Sequence, residues 1–408
     1  MESVRRAPVI SFLAAAGAAH ASLAQGEWVL IDRDLREEHV ELTQLSEGSV
    51  MFSDEEGRAR TTPVSELLAV LHERPPEERA ARELPWLTQQ MEMFGPDGEL
   101  GPEEAEAEEF VASLGLVNGE RWIGSFAGAS GASLAWTLGG TVRREAPLER
   151  VRAAAIHGPV EAEGWEGIED RVVLQNGDVV EGFVASIDTA VRIETATGEV
   201  ELPLDRAAGV LLANPPVAPA GILVWLADGS VVEATTVEFA LTGRVSLGLG
   251  SDAPEAVLPV GATDVLALLF DPGLITGLAV LEPSSISFPP ERLWGRAPVA
   301  GAPARLGIAD IDMAGPVSVV WELPRPAARL AAVATLPPAM WAWGDCELVV
   351  RAGDGTELLR ERLRADRPSV EINVPLGGTR RLGIEVASGG GGPVQDRVIL
   401  ERPMVRWR

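Results

Sequence analysis

The sequence has no tyrosine and no lysine, so all 34 of its basic residues are arginines. Against them stand 61 acidic residues, which gives a formal net charge of −27. Nucleic-acid binding normally relies on a basic face that neutralises phosphates. The charge balance therefore argues against nucleic acids and anionic membrane surfaces as partners. The missing residue types are a bias in composition to which no function is assigned.

Cysteine and histidine are also scarce. The single cysteine, Cys346, excludes an intramolecular disulfide, and its acidic neighbours disfavour a reactive thiolate. Beyond the first 24 residues only three histidines occur, in separate segments and without zinc-ligand spacing: His39, His72 and His157. No nucleophile elbow or phosphate-binding loop is present in the sequence. We therefore predict no enzymatic activity, no catalytic residue, no metal and no cofactor.

The N-terminus combines Arg5 and Arg6 with a short apolar run from Pro8 to Ala19, followed by small residues. This pattern predicts a secretory signal peptide over residues 1–24. The run is shorter than the roughly 20 residues that a spanning helix needs, so no membrane association is expected after cleavage. The sequence thus predicts a secreted or periplasmic protein. A buried helix is the alternative interpretation of this segment.

A repeated pattern fills the middle of the chain. Three turn dipeptides accept the positive φ of tight hairpins: Asn118-Gly119, Asn176-Gly177 and Asp228-Gly229. Each is followed by alternating residues and then by a proline that is expected to end a strand, at spacings of 56 residues: Pro147, Pro203 and Pro259. Similarity at a fixed period indicates repeated supersecondary units, with these prolines at matching positions.

Each unit contains five short strands in about 50 residues, which predicts a small, strongly bent barrel. The pattern resembles SH3-like and Sm-like barrels. Sm-like proteins often bind RNA, which the acidic charge opposes here. The predicted units, with a degenerate first copy, are 25–72, 110–158, 168–214 and 220–272. Units of this size bury little apolar surface, so we expect them to pack on one another. Residues 73–109 are predicted to form an acidic linker with a short helix.

After Pro272 the pattern changes to alternating strands separated by glycine-rich turns, which predicts a β-sandwich over 285–408. The order of its elements is a Gly307-Ile308 step, then SVVWELPRPAARLAAVATL, ELVVRAGDGTELLRERL, SVEINVPLGGTRRLGIEVASGGGG and QDRVILERPMV. This order resembles the NPCBM/NEW2 family of carbohydrate-binding modules. The resemblance implies a jelly-roll sandwich and a sugar ligand. The predicted fold class is therefore all-β: repeated small SH3-like/Sm-like barrels, then a jelly-roll β-sandwich, with a short helical linker.

The best candidate site lies in the segment MWAWGDCELVV. If residues 341–349 are extended, one face carries Trp341, Trp343, Asp345 and Glu347, while the small and apolar residues between them face the core. A tryptophan face can cover the C–H side of a sugar ring, and carboxylates can accept its hydroxyls. The alternative is that one or both tryptophans close the end of the sandwich as core residues.

Two functional hypotheses lead from the sequence, and a hydrolase is a third for which the sequence has no motif. The first is a secreted, non-enzymatic protein that binds glycans in the bacterial cell envelope or the extracellular space. The second is a structural or protein-interaction scaffold of the envelope, whose partners are other envelope proteins and whose sandwich binds no sugar. Exposure of Trp341 and Trp343 favours the first hypothesis, and burial of both favours the second.

Overall fold

A computed structural model describes most of the chain after residue 27. The described residues are 28–46, 48–54, 56–72, 110–160, 165, 167–240, 243–249, 256–290, 295–301, 305–390, 392 and 395–408. Within them the regular structure is β-strand and short 3₁₀ turns, which confirms the all-β fold class with a β-sandwich. The predicted signal peptide (1–24) and the helical linker (73–109) lie outside the described residues.

The strands before residue 272 form four units, here called barrels 1 to 4. Barrel 1 has β1 (Trp28–Asp32), β2 (Glu37–Ser46), β3 (Ser49–Ser53), β4 (Ala59–Pro63) and β5 (Leu67–His72). Barrel 2 has β6 (Ser113–Leu116), β7 (Arg121–Ala129), β8 (Ser133–Leu138), β9 (Val142–Pro147) and β10 (Val151–Ala155). Barrel 3 has β11 (Asp170–Leu174), β12 (Val179–Ile187), β13 (Ala190–Thr195), β14 (Gly198–Pro203) and β15 (Ala207–Leu211).

Barrel 4 follows the same plan, but its second strand is divided in two. Its strands are β16 (Ile222–Leu226), β17 (Val231–Ala234), β18 (Thr236–Phe239), β19 (Arg244–Gly248), β20 (Val257–Gly261) and β21 (Val265–Leu269). A 3₁₀ turn precedes the last strand of every barrel: Val64–Glu66, Leu148–Arg150, Leu204–Arg206 and Ala262–Asp264. The four barrels share one continuous apolar core, in which Trp28, Trp122 and Trp136 are the largest side chains.

The first turn of each barrel needs a left-handed residue. Gly119, Gly177 and Gly229 hold φ of 84°, 87° and 89°, a region that glycine adopts without steric cost. In barrel 1 the same position is Leu35, with φ of 57°. In all four turns the N–H of this residue donates to the carbonyl three residues earlier. The degenerate first repeat therefore keeps the turn geometry without the glycine.

One predicted match between the repeats is wrong. Pro63, Pro147 and Pro203 each end a strand directly before the 3₁₀ turn, but Pro259 lies inside β20. Gly261 occupies the matching position in barrel 4, with φ of −70°, and its N–H donates to Asp264 Oδ2 at 3.1 Å. An acidic cap thus replaces the proline at this turn, so the equal spacing of Pro203 and Pro259 is coincidental.

Barrels pair through their last strands, in an order that differs from the chain order. β5 of barrel 1 pairs with β21 of barrel 4, and β10 of barrel 2 pairs with β15 of barrel 3, both antiparallel. Equivalent residues face each other, because Val70 opposes Leu268 and Ala154 opposes Val210, each the fourth residue of its strand. Each barrel pair is therefore related by a local two-fold axis.

The C-terminal region is a sandwich of two antiparallel sheets. One sheet has the order β24 (Val299–Ala300), β25 (Ile311–Ala314), β32 (Arg397–Trp407), β27 (Ala327–Thr335) and β30 (Ser369–Pro375), with β22 (Ile275–Gly277) also paired to β32. The other has the order β23 (Pro283–Ser287), β26 (Val317–Glu322), β31 (Arg381–Ser388), β28 (Asp345–Ala352) and β29 (Glu357–Arg364). β22 and the start of β23 precede residue 285, the boundary predicted from sequence. With only three residues, β22 is too short to show a pattern of alternation.

The sandwich packs against the paired sheet of barrels 1 and 4. Leu35 and Leu71 of barrel 1 and Leu269 of barrel 4 share a buried apolar cluster with Ala331 and Met404 of the sandwich. The Asn373 side-chain amide also donates to the Leu35 carbonyl at 3.1 Å, and Arg402 forms an ion pair with Glu37 at 2.7 Å. The sandwich is thus held by both apolar and polar contacts to the barrels.

Candidate functional site

Trp341 and Trp343 lie in a turn and not in a strand. A 3₁₀ turn spans Pro338–Met340, and Trp341 continues it with φ of −62° and ψ of −27°. The Trp341 N–H donates to the Pro338 carbonyl at 3.2 Å, and the Gly344 N–H donates to the Met340 carbonyl at 2.7 Å. β28 begins only at Asp345. The predicted extension over 341–344 is therefore wrong, because consecutive prolines preset a turn here.

Gly344 makes the junction between this turn and the strand. A Cβ at this position would lie 2.7 Å from the Met340 carbonyl oxygen and 3.1 Å from that of Gln395, so only glycine fits. Ala342, which the alternation placed on the core face, is exposed. The turn thus directs residues 341–343 to the surface at the start of β28.

Both tryptophan rings reach solvent, but to different extents. Trp341 is 43% exposed, and its indole N–H donates to the Leu336 carbonyl at 2.9 Å, which fixes the ring's orientation. Trp343 is 70% exposed, and its backbone N–H donates to the Met340 carbonyl at 3.4 Å. Neither ring belongs to the buried core of the sandwich. This end of the sandwich therefore presents two aromatic side chains beside one polar strand.

Asp345 and Glu347 occupy the outward face of β28, as the alternation predicts, while Cys346 and Leu348 are buried between them. The Asp345 carboxylate accepts from Arg362 Nε at 2.6 Å and from the Gly390 N–H at 3.0 Å. The hydrogen bonds from Arg362 lower the pKa of Asp345, against a smaller opposing effect of burial. Asp345 is therefore an ionised, oriented carboxylate.

Glu347 is paired in the same manner with the neighbouring strand. Its carboxylate accepts from Arg360 Nη1 at 2.7 Å, and Arg360 also binds Glu357 through Nε at 2.9 Å. Hydrogen bonds to Glu357 and then to Glu347 raise the pKa of Arg360. The two predicted acids thus lie in a row of cross-strand ion pairs between β28 and β29.

Arg360, Arg362 and the Gly389–Gly390 loop are site residues that the sequence interpretation missed. The signal was present, since Arg360 and Arg362 alternate along a strand that follows β28 after a Gly353–Gly355 turn. Antiparallel pairing across such a turn places basic residues opposite acidic ones. The candidate surface, defined here as the Trp341–Trp343 turn with Asp345, Glu347 and their two arginines, therefore carries both charge signs.

Other acidic positions have structural explanations. Asp354 accepts the Thr356 N–H at 2.9 Å, and this hydrogen bond lowers the pKa of Asp354 within an ordinary turn. Asp396 is buried, and its Oδ1 accepts the Asp345 N–H at 3.4 Å. Among the described residues, no group of three or more His, Cys, Asp or Glu side chains could hold a metal ion. In the same part of the chain, no helix has the length and apolar character to cross a membrane.

Comparisons with known proteins give structural neighbours only. No family model matches the chain, and no curated protein matches it. CBM51 from Clostridium perfringens GH95, in complex with methyl-galactose, is 15% identical, with a TM-score of 0.26 over 32% of this chain and 99% of that one. The tandem CBM51 modules of a family 98 glycoside hydrolase from Streptococcus pneumoniae are 8% identical, with a TM-score of 0.28 over 58% of this chain and 88% of theirs.

A third neighbour is the structure of CBM51-2 in complex with GlcNAc, together with INT domains, from Clostridium perfringens ZmpB. It is 12% identical, with a TM-score of 0.28 over 42% of this chain and 37% of that one. All three neighbours contain carbohydrate-binding modules.

Proposed function

We propose that this is a secreted, non-enzymatic protein of the bacterial envelope or extracellular space that binds glycans at the candidate surface. The observation that carries the proposal is the exposure of both Trp341 and Trp343. Tryptophan is enriched at binding interfaces, because its ring is apolar and its indole N–H is a hydrogen-bond donor. They can stack on the apolar face of a sugar ring, while neighbouring ion-paired groups exchange hydrogen bonds with its hydroxyls.

The state of the carboxylates supports binding over catalysis. A glycosidase needs one acid that stays protonated to donate to the leaving group. Asp345 has a lowered pKa because Arg362 binds its ionised form. Glu347 is paired with Arg360. Both acids thus suit the role of fixed hydrogen-bond acceptors.

The proposal is tested by calorimetric titration of the full chain with a panel of glycans, starting with methyl-galactose and GlcNAc. Trp343→Ala should weaken binding about fivefold, and at most about tenfold, and leave the melting temperature unchanged, because stacking contributes about 1 kcal/mol and the ring is exposed. Trp165→Ala is the matched control, since Trp165 lies outside the sandwich, between barrels 2 and 3, with its indole N–H bonded to the Glu169 carbonyl at 2.9 Å. This control should bind as the parent does.

Two results would contradict the proposal. If no glycan of the panel binds the parent chain, sugar binding is excluded for that panel and the scaffold hypothesis gains. If the parent binds and Trp343→Ala binds equally well, the ligand lies elsewhere on the molecule. Glu347→Gln measures the contribution of the carboxylate to binding separately from that of aromatic stacking. This substitution keeps the size of the side chain and removes the charge that pairs with Arg360.

Export is tested separately. The pattern of residues 1–24 predicts cleavage, so N-terminal sequencing of the protein from its host should begin at Ser22 or Gln25. Recovery of intact Met1 from a cytosolic fraction would overturn the proposed localisation without affecting sugar binding.

A further inference from the structure

The strand that follows the first turn has its start at an interface in three of the four barrels. In barrel 3 only the end of this strand meets another barrel, through the bridge between Ile187 and Gly131 of barrel 2. In barrels 2 and 4 these strands meet each other, since Arg121 of β7 pairs antiparallel with Val231 of β17. Both residues are the second after the turn glycine, Gly119 or Gly229. Equivalent residues that face each other in antiparallel strands define a local two-fold axis.

The hydrogen bonds across this axis are reciprocal. The Glu233 N–H of barrel 4 donates to Glu120 Oε1 of barrel 2 at 2.9 Å, and the Ile123 N–H of barrel 2 donates to Ser230 Oγ of barrel 4 at 3.1 Å. Glu120 and Ser230 both follow the turn glycine directly, and Ile123 and Glu233 are both the fourth residue after it. The same hydrogen bond thus occurs twice. In each barrel a side-chain oxygen of the first residue after the turn glycine accepts the backbone N–H of the fourth residue after the glycine in the other barrel.

Barrel 1 uses the same region to contact the sandwich. Leu35 is 1% exposed, its carbonyl accepts from Asn373, and Glu37 pairs with Arg402. The barrels are therefore connected in the order 1, 4, 2, 3, with the sandwich on barrels 1 and 4 at one end of the array.

Barrel 3, at the other end, has the same strand on the surface. Val179, the second residue after Gly177, is 49% exposed, and Phe183 is 64% exposed. Within the described part of the chain, the first half of β12 pairs with β11 on one side only. Asp178 stands where barrel 2 has Glu120 and barrel 4 has Ser230, so its carboxylate supplies the same kind of acceptor. The start of β12 thus has an acceptor side chain at the same position as the strands in the contact between barrels 2 and 4, and its outer edge is exposed.

We propose that the exposed edge of β12 binds the same edge of a second copy of this chain. The internal contact between barrels 2 and 4 shows that two such strands are complementary about a two-fold axis. In the dimer, Val179 faces Val179 of the second copy, and each Asp178 carboxylate accepts the Glu181 N–H of the other copy.

Charge sets the conditions for this association. Each copy has a formal net charge of −27, and the contact brings Asp178 and Glu181 of two chains together. Salt screens such repulsion, with a Debye length of about 10 Å at 0.1 M. The dimer should therefore strengthen as the salt concentration rises, which distinguishes it from an association through complementary charges.

The direct test is a cysteine placed on the two-fold axis of the full chain. Opposite residues in antiparallel strands have Cα atoms about 4.5–5.5 Å apart, which lies within the range that a disulfide spans. Val179→Cys should form a covalent dimer under mild oxidation. Val257→Cys is the matched control, because Val257 is also a strand valine with 49% exposure, and it should stay monomeric. Native Cys346 is buried and does not compete.

A second test measures the equilibrium by sedimentation at high salt over a concentration series. The parent mass should rise towards twice the monomer mass, and Val179→Asp should lower the association constant by about tenfold or more, because like charges then face each other. Asp178→Ser keeps an acceptor, as Ser230 does, and should still dimerise, whereas Asp178→Ala should dimerise less. A parent that stays monomeric, or a dimer that Val179→Asp leaves unchanged, overturns the proposal.

Discussion

At the scale of single residues, Leu35 combines two opposing effects. Its φ of 57° is a conformation that costs a non-glycine residue roughly 1–2 kcal/mol. Its side chain is 1% exposed and packs in the cluster between barrel 1 and the sandwich. Burial of a leucine stabilises by about 1.5–3 kcal/mol, which offsets the strain. The leucine thus replaces the repeat's glycine where the sandwich needs an apolar contact.

Because of this balance, we expect Leu35→Gly to destabilise the protein less than Leu35→Ala, although glycine is the smaller residue. Leu35→Ala loses the apolar contact and keeps the backbone strain, so it should destabilise the protein by about 2–5 kcal/mol. Leu35→Gly loses slightly more side chain but relieves the strain, so it should destabilise by about 1 kcal/mol less than the alanine variant. Urea unfolding of the full chain measures both values. A glycine variant that is less stable than the alanine variant would show that the turn carries no strain.

Cys346 gives the protein an alkaline transition that can be assigned to one side chain. Burial, with smaller effects of Asp396 and Asp345, raises the pKa of Cys346 from 9.0 to about 12. With no lysine and no tyrosine in the chain, no other side chain normally titrates in this interval. The unfolded thiol loses its proton above pH 9 while the folded thiol retains it, so the free energy of unfolding should fall between pH 9 and 12.

The fall should reach at most about 1.4 kcal/mol for each pH unit, and it should be absent in Cys346→Ala. Unfolding by urea at several pH values measures it, and alkylation by iodoacetamide at pH 8 should be slow in the folded protein. Rapid alkylation of the native chain would contradict the burial of this thiol.

At the scale of elements, local alternation predicted the strands well and the start of β28 poorly. Asp345, Glu347 and the buried residues between them follow the period of two because they pair with β29 and β31 on both sides. Trp341 to Gly344 show the same alternation in sequence but form a turn. The cause is partly tertiary, since Gly344 packs against the carbonyl of Gln395, which is distant in the sequence. No local pattern contains that contact.

Glycines in strands differ in how much space a side chain would have. Two glycines near the contact between barrels 2 and 3 allow a test of this difference. A Cβ on Gly209 of β15 would lie 2.0 Å from the Ala154 carbonyl oxygen of β10, so the two backbones leave no room for a side chain. Gly209→Ala should destabilise the protein by about 1–3 kcal/mol or more. Gly115→Ala is the control, because its Cβ would meet Ala153 at an ordinary 3.8 Å.

Urea unfolding compares the two variants with the parent. Equal stability of the Gly209 and Gly115 variants would mean that β10 and β15 are not paired as described. The sequence could not distinguish these glycines, because the partner of β15 is another barrel and the repeats are similar enough to permit several pairings.

At the scale of the whole molecule, barrels and sandwich are expected to unfold together. Their shared cluster places Met404 of the sandwich, 1% exposed, against barrels 1 and 4. Elements joined by a buried apolar interface lose stability together. We therefore expect one thermal transition for the full chain. Two transitions in the parent protein would contradict this coupling.

A single charged substitution should disrupt the interface between the sandwich and barrels 1 and 4. Met404→Asp buries an unpaired carboxylate between sandwich and barrels, so calorimetry should show two transitions or a markedly lower single one. Met51→Asp is the control, because Met51 is 41% exposed on barrel 1, and it should melt as the parent does. An unchanged melting profile for Met404→Asp would show that the interface is hydrated in solution.

The pairing of β5 with β21 affects how the chain can fold while it is being synthesised. Leu71 and Ala267 face each other in that pair, yet barrels 2 and 3 are synthesised between them. During translation the edge of β5 that pairs with β21 therefore stays open until barrel 4 is made, and an open strand edge can pair with the wrong neighbour. Barrels 2 and 3, which are adjacent in the chain, can join as soon as both are made. We therefore expect barrels 2 and 3 to pair first, and barrel 1 to join barrel 4 only after barrel 4 has been made.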